Sequence, residues 1–308
     1  MNVLGIDVGA GAVKFAVFSA DARSPRRGRR EPLYSAEEKT ARSFPEMKAQ
    51  ILGIIERMKE SRGIRAVGIG VPGFISRRER RIEISPNMRF LDGVALEKEI
   101  AAGGGLPVFV ENDANAAALG EFQSLDAPRP SSFILLTLGS GIGSGIVLEG
   151  RLWRGACGFA GELGHLLVQS QGRDCGCGRR GCAETESSEA GIVLSYQELT
   201  GTALPISSRE VFARLQAGDE AARRAFERAG RYLGVLLCQV MLALDPEWIA
   251  IGGGVAAAGD ALLAPARDEL ACRAMARALA CTRIEPARLG NMAGVCGAAD
   301  LARGRLRP

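Results

Sequence analysis

Val3-Leu-Gly-Ile-Asp7-Val-Gly9-Ala-Gly11-Ala-Val-Lys14-Phe-Ala-Val-Phe18 is the stretch that decides the fold. Two apolar runs, Val3 to Asp7 and Val13 to Phe18, flank a glycine-rich bend, and such short runs read as strand, tight turn, strand. The design returns at Phe133 to Leu148: Ile134-Leu-Leu136, Thr137, the bend Gly139-Ser140-Gly141-Ile-Gly143-Ser-Gly145, then Ile146-Val-Leu148. The two units barely match in sequence. Both bends can still offer backbone N–H groups to phosphate oxygens, because glycine permits close approach and positive φ. A Walker loop is absent, since no Gly-Lys-Ser/Thr opens a helix. A Rossmann fingerprint is absent too, since a strand follows each bend. Asp7 beside the first bend can hold magnesium through water, and Lys14 can neutralise phosphate charge. The structural alternative makes Asp7 a turn former and Lys14 a solvated strand residue.

Strands and helices alternate outward from these hairpins. Glu46 to Arg62 has helical apolar spacing and ends at Gly63; Ala66 to Val71 reads as a buried strand running into Pro72-Gly73. Val94 to Ala102 reads as a helix, Pro107 to Val110 as a strand and Ala114 to Phe122 as an Ala-rich helix. Residues after 187 are mainly helical up to Leu244, Trp248 to Ile251 is a short strand followed by three glycines, and Gly294 to Arg303 is a last helix. The class is α/β.

The chain has 308 residues, 47% of them hydrophobic, which is more than one domain usually buries. Lys and Arg number 39 against 35 Asp and Glu, and this small excess is not that of a nucleic-acid binder. Two arginine clusters, residues 23–30 and 77–81, read as solvated turns rather than a polyanion site. Asp7 interrupts the first apolar run too early for a signal peptide, and Tyr232 to Leu244 is too short to span a bilayer. A soluble cytoplasmic protein with neither membrane nor nucleic acid as partner is expected. In a reducing compartment, closely spaced cysteines bind metal more often than they form disulfides.

Glu111-Asn112-Asp113 follows a strand and precedes a helix. Either Asn112 or Asp113 can cap that helix, so capping does not require both. At the carboxyl end of a strand, where α/β sites lie, the Asp113 carboxylate can accept the proton of an attacking hydroxyl. Glu162-Leu-Gly-His165 is followed by Cys175-Gly-Cys177 and then Cys182. Three closely spaced cysteines among glycines, with the chain's one histidine, suit a tetrahedral Cys₃His zinc site. Four protein ligands leave no place for water, so the zinc is expected to be structural and to fix Glu162 and Glu184 beside it. Cys157, Cys238, Cys272, Cys281 and Cys296 lack such spacing and read as small core residues.

Taken together, these segments resemble the ROK family of repressors and sugar kinases. The resemblance runs over nearly the whole chain, including Gly5 to Gly9, Gly68 to Gly73, Ser85-Pro-Asn87, Glu111 to Glu121, Glu162 to His165, Cys175 to Glu184 and Leu244 to Gly254. It implies a two-domain actin-like, hexokinase-type ATPase fold with a ribonuclease H-like motif in each domain. The expected division is 1–113 plus 294–308, and 114–293. By similarity, Asp113 is the base that activates a hydroxyl of a hexose, glucose by default. Gly73, Asn87, Asn112, Glu162, His165 and Glu184 hold the sugar, His165 also ligating zinc. Asp7, Gly9, Gly11, Lys14, Thr137, Gly139, Ser140, Gly141 and Gly143 face the phosphates of Mg-ATP, and Gly252, Gly253 and Gly254 lie near the adenosine. A homodimer is the family expectation. Lys14 stands seven residues after Asp7 where the family usually has five, a spacing like that of polyphosphate-dependent glucokinases. N-acetylhexosamine and fructose kinases share the motif set. A repressor is disfavoured because the first phosphate strand begins at Val3, leaving no room for a helix-turn-helix ahead of it, and a non-catalytic sugar-sensing regulator is disfavoured because Asp7, Asp113 and both glycine-rich bends are present. An iron–sulfur ATPase activator is disfavoured by the zinc-type spacing.

Overall fold

The computed structural model describes residues 1–20 and 31–306. The arginine cluster at 23–30 lies outside the described residues. Contacts divide the chain into two compact units, residues 1–131, 145–161 and 288–308, and residues 132–144 and 162–287.

The first unit is built on β1 (Asn2–Val8), β2 (Ala12–Ser19), β3 (Tyr34–Lys39), β4 (Ile64–Val71) and β7 (Val108–Asn112). Their order is β3-β2-β1-β4-β7, antiparallel through β1 and parallel from β1 to β7. A small hairpin, β5 (Phe74–Ile75) and β6 (Ile82–Ile84), stands after β4. Strands β1, β2 and β4 are buried along nearly their whole length, as expected for a sheet covered on both faces. Edge strand β3 alternates half-buried and exposed residues instead. Helix α1 (Phe44–Arg62) places Met47, Ile51, Ile54, Ile55 and Met58 in the core with Leu4, Ile6 and Ile69. It stops at Gly63, whose φ of 61° lets its N–H return to the Lys59 carbonyl. Helix α2 (Leu96–Gly104) adds Leu96 and Ile100 to the same core.

Helices α3 (Asp113–Ser124) and α10 (Ala293–Leu306) also belong to this unit. The sequence division at residue 113 assigned α3 to the other domain. Its small residues are the reason it groups here: a Cβ on Gly297 would come 1.6 Å from the Ala116 carbonyl oxygen, and one on Gly120 would come 2.4 Å from that of Ala293. The two helices therefore touch backbone to backbone. Helix α10 meets the sheet in the same way, at Gly5 and Gly68.

The second unit holds β8 (Ser132–Leu138) and the start of β9 (Ile142–Leu148), whose residues from Gly145 group with the first unit. With β10 (Arg151–Leu152), β11 (Trp248–Gly252) and β12 (Arg283–Pro286) they form a sheet of order β10-β9-β8-β11-β12. Around it lie α4 (Glu184–Ser187), α5 (Glu189–Thr200), α6 (Ser208–Gln216), α7 (Glu220–Leu244), α8 (Asp260–Arg273) and α9 (Ala276–Cys281). Helix α7 contains the expected buried run and packs closely on α8 through Gly230 and Gly234. Of the five cysteines read as core residues, Cys238 and Cys296 are buried, but Cys157, Cys272 and Cys281 are exposed. The last two lie at the C-terminal ends of α8 and α9, and Cys157 lies in a loop. No described helix is long and apolar enough to cross a membrane.

A Cβ at position 68 would come 1.7 Å from the Ala298 carbonyl oxygen, whereas one at Gly11 meets nothing within 4 Å. Gly68→Ala should therefore cost about 3 kcal/mol or more, the upper range for overpacking. Gly11→Ala should change stability by less than about 0.5 kcal/mol. Urea unfolding of the two variants compares them directly.

Candidate functional site

In the first unit, β1 and β2 place Asp7 directly opposite Lys14. Residues facing each other across an antiparallel pair share one face of the sheet. The seven-residue interval thus sets the lysine beside the aspartate, and Gly9 closes the bend by donating to the Ala12 carbonyl at 2.9 Å. Asp7 is also close to Gly294 and Gly70: a Cβ on Gly294 would come 2.6 Å from its Oδ2, and one on Gly70 3.6 Å from its Oδ1. The same position on Gly70 lies 3.6 Å from the Asp113 Cα. Two carboxylates therefore meet over glycines. Burial, then the Asp113 charge, raises the Asp7 pKa to about 6 against the opposing pull of Lys14. Burial also raises Asp113, outweighing the hydrogen bonds it accepts.

The cap of α3 is Asn112, whose Oδ1 accepts from the Asn115 N–H at 3.0 Å. Asp113 is thereby released from capping. The Asn112 Nδ2 donates to the Gly73 carbonyl at 3.2 Å, joining two residues expected to hold sugar. Gly73, at φ 125°, sits against the loop carrying Asn87; Ser85 Oγ donates to the Pro72 carbonyl at 2.8 Å, and Asn87 itself is exposed. Glu111 is 6% exposed and accepts from the Asn112 N–H, from Asn115 Nδ2 and from Arg154.

In the second unit the bend at Gly139 to Gly141 separates β8 from β9. Glu184 closes against it: Oε2 accepts the Ile142 N–H at 2.9 Å, and a Cβ on Gly141 would strike that oxygen. The other oxygen, Oε1, lies 3.9 Å from the Cys175 Sγ. Gly253, at φ 89°, packs on the end of β8, where a Cβ would come 2.2 Å from the Leu138 carbonyl oxygen. Gly139 accepts from the Glu189 N–H at 2.8 Å. The second bend, the Gly252–Gly254 turn and the start of α5 thus converge. A cavity of about 520 Å³ opens beside Gly254 and Val255, lined also by Glu189, Arg209, Phe212 and Phe226.

His165 Nδ1 and the sulfurs of Cys175, Cys177 and Cys182 form one cluster. The four ligand atoms lie within 4.8 Å of one another, with Cys177 to Cys182 and Cys175 to His165 both at 3.6 Å. Tetrahedral Zn–S bonds of about 2.3 Å put neighbouring sulfurs just under 4 Å apart, so the donors and their spacing fit. The outer nitrogen, Nε2, lies 4.0 Å from Glu162 Oε2. Burial tends to raise the Cys177 thiol, but hydrogen bonds from the Arg179 backbone and side chain and from the other thiols bring it down to about 7. Cys182 is pushed up to about 12 by burial and its hydrogen bonds to Cys177 and Cys175. Arg173 anchors the knuckle: its carbonyl accepts from the Gly181 N–H, and its guanidinium pairs with fully buried Glu186, which also pairs with Arg228.

Sequence reasoning missed Gly294, Glu121 and Glu189. Glu121 is buried and accepts the Arg288 and Leu289 N–H groups, which fixes the entry to α10. Its place at the end of the Glu111–Glu121 segment was a usable signal.

A carboxyl whose pKa rises on folding costs stability above that pKa and costs nothing below its unfolded value near 4. Asp7→Asn should therefore stabilise the protein by up to about 3 kcal/mol at pH 8. The gain should fade as pH falls from 6 to 4, as thermal unfolding across that range will read.

The ROK family pattern matches residues 3–305. A glucokinase from Halalkalibacterium halodurans is 36% identical over 251 residues, 77% of this chain and 76% of that protein. Among solved structures, a ROK hexokinase from Thermus thermophilus superposes with a TM-score of 0.84 at 33% identity, covering 100% of this chain and 99% of its own. A ROK family glucokinase from Streptomyces griseus, in complex with glucose and AMPPNP, gives 0.82 at 29% identity, with 99% and 100% covered. The fold is the two-domain actin-like ATPase fold, and the chain belongs to the ROK family.

Proposed function

We propose that this sugar kinase transfers the γ-phosphoryl group of ATP to the 6-hydroxyl of glucose, with Asp113 as general base. The Asp113 carboxylate carries the reading: it directly follows the end of β7, is spared from capping by Asn112, and is made more basic by burial. It takes the hydroxyl proton as the sugar oxygen bonds to phosphorus and ADP leaves. Gly73, Asn87, Asn112, Glu162, His165 and Glu184 fix the sugar. Asp7 would hold magnesium through water, and the ion would neutralise phosphate charge. Gly9, Gly11, Lys14, Thr137, Gly139, Ser140, Gly141 and Gly143 meet the phosphates.

The cavity beside Gly254 favours ATP over polyphosphate as donor, because polyphosphate has no nucleoside to fill it. Phe212 and Phe226, in edge contact at 5.7 Å, give it an aromatic wall suited to adenine. Both substrates are those of a cytoplasmic enzyme.

His165, Cys175, Cys177 and Cys182 would hold zinc as a structural cross-link. Through Glu184 that cross-link extends to the N–H of Ile142 at the second bend.

ADP release with Mg-ATP across free hexoses and N-acetylhexosamines should show turnover on glucose. Asp113→Asn should leave the glucose dissociation constant within a few-fold and lower kcat by about 10²–10⁴. Near-normal turnover in that variant would remove Asp113 as the base. Cys177→Ser should lose about one equivalent of zinc per chain by elemental analysis and lower the Tm; unchanged zinc content would take Cys177 out of the ligand set.

A further inference from the structure

The first unit contains a cavity of about 340 Å³ that Asn112 borders but whose other lining residues have no part in the proposed reaction. Five arginines line it: Arg77, Arg80 and Arg81 from the β5–β6 turn, Arg154 after β10, and Arg305 from α10. Its floor is partly apolar, from Ile82, Phe109 and Leu301. It borders β7, the outer strand of the sheet. The volume is within the range of small-molecule sites.

Three of these guanidinium groups have carboxylate partners: Arg80 with Glu97, Arg81 with Glu79, and Arg154 with Glu111. Arg77 donates to the Gly155 carbonyl at 3.0 Å, and Arg305 lies 6.0 Å over the Phe109 ring. Among the described residues neither has a carboxylate partner. Two uncompensated positive charges at one cavity match a phosphate monoester, which carries about −1.5 to −2 near neutral pH. Arginine also binds phosphate through paired N–H donors.

We propose that this cavity binds a phosphorylated small molecule of sugar size, with its phosphate on Arg77, Arg305 and Arg154 and its body over Phe109. Binding there reaches the reaction site through Arg154. That arginine supplies the counter-charge to buried Glu111, which also accepts from Asn112 and Asn115. A phosphate that draws Arg154 away leaves a buried carboxylate short of its partner, which is costly. Glu111 immediately precedes Asn112 and Asp113, so an occupied cavity lowers turnover. The effect on turnover rests on the role of Asp113 proposed above; the binding does not.

The test is calorimetric titration of the full-length protein with glucose 6-phosphate, the reaction site being filled with glucose and AMPPNP. One equivalent of binding is expected, weakened about tenfold or more in Arg77→Gln/Arg305→Gln. The double variant should keep its basal kcat and KM, which also shows that it folds. Arg77→Lys/Arg305→Lys, which keeps charge but loses the paired donors, should fall between. Glucose 6-phosphate should lower kcat at saturating glucose in the unmodified protein and not in the Gln variant. Equal binding by unmodified and Gln proteins, or no binding, overturns the site. Equal affinity for inorganic phosphate overturns recognition of the sugar body, and binding of long-chain polyphosphate alone overturns the small-molecule reading. The titration does not depend on turnover. A protein inactive on every sugar yet binding glucose 6-phosphate through these arginines would retain this site while losing the proposed reaction.

Discussion

Everything in the first unit depends on α10 lying against β1, β4 and α3 with no side chain between. Gly5 and Gly68 admit the helix to the sheet, and Gly120 and Gly297 admit it to α3. The contact fixes three elements at once, and two of them carry the carboxylates. Asp7 comes from β1 and Asp113 opens α3, while Gly294 of α10 leaves room for the Asp7 oxygens. Bringing two buried acids together is unfavourable, as the raised pKa of Asp7 records. A closely packed backbone frame can carry that cost where a yielding one would let the groups separate.

The second unit reaches its order through a different linkage. One carboxylate, Glu184, touches a knuckle thiol and the backbone of the second bend. The knuckle is tied to α4, α5 and α7 by Arg173, Glu186 and Arg228. A small thiol-rich loop is thereby bound to the helices around it.

The parts of the fold and site that could be read in advance were those written in adjacent residues. The hairpins, Glu111 to Asp113 and the cysteine knuckle each carry their chemistry within a few positions. The spacing of Asp7 and Lys14 looked like a departure; the strand register turns it into a facing pair. What escaped was set by partners distant in sequence. Gly294 became part of the Asp7 environment only once α10 had docked. The arginines at 77–81 are exposed in a turn, as expected; that three of them share a cavity with Arg154 and Arg305 was not legible, because those two residues lie far along the chain. Helix α3 was placed in the wrong compact unit because its Ala-rich sequence does not name the helix it faces. Helices α8 and α9 and strand β12 were not foreseen, being short or weakly periodic.

The same docking of α10 imposes a schedule on biosynthesis. The first unit is assembled from residues 1–131, 145–161 and 288–308, and the whole of the second unit is encoded before its last piece. While the ribosome is still making the second unit, the groove at Gly5 and Gly68 has no helix to fill it. The nascent amino-terminal sheet must wait with one face uncovered, and transiently exposed apolar surface is where aggregation begins. Long-range closure of this kind also slows folding. The amino-terminal sheet of this chain is therefore completed only after α10 has been made.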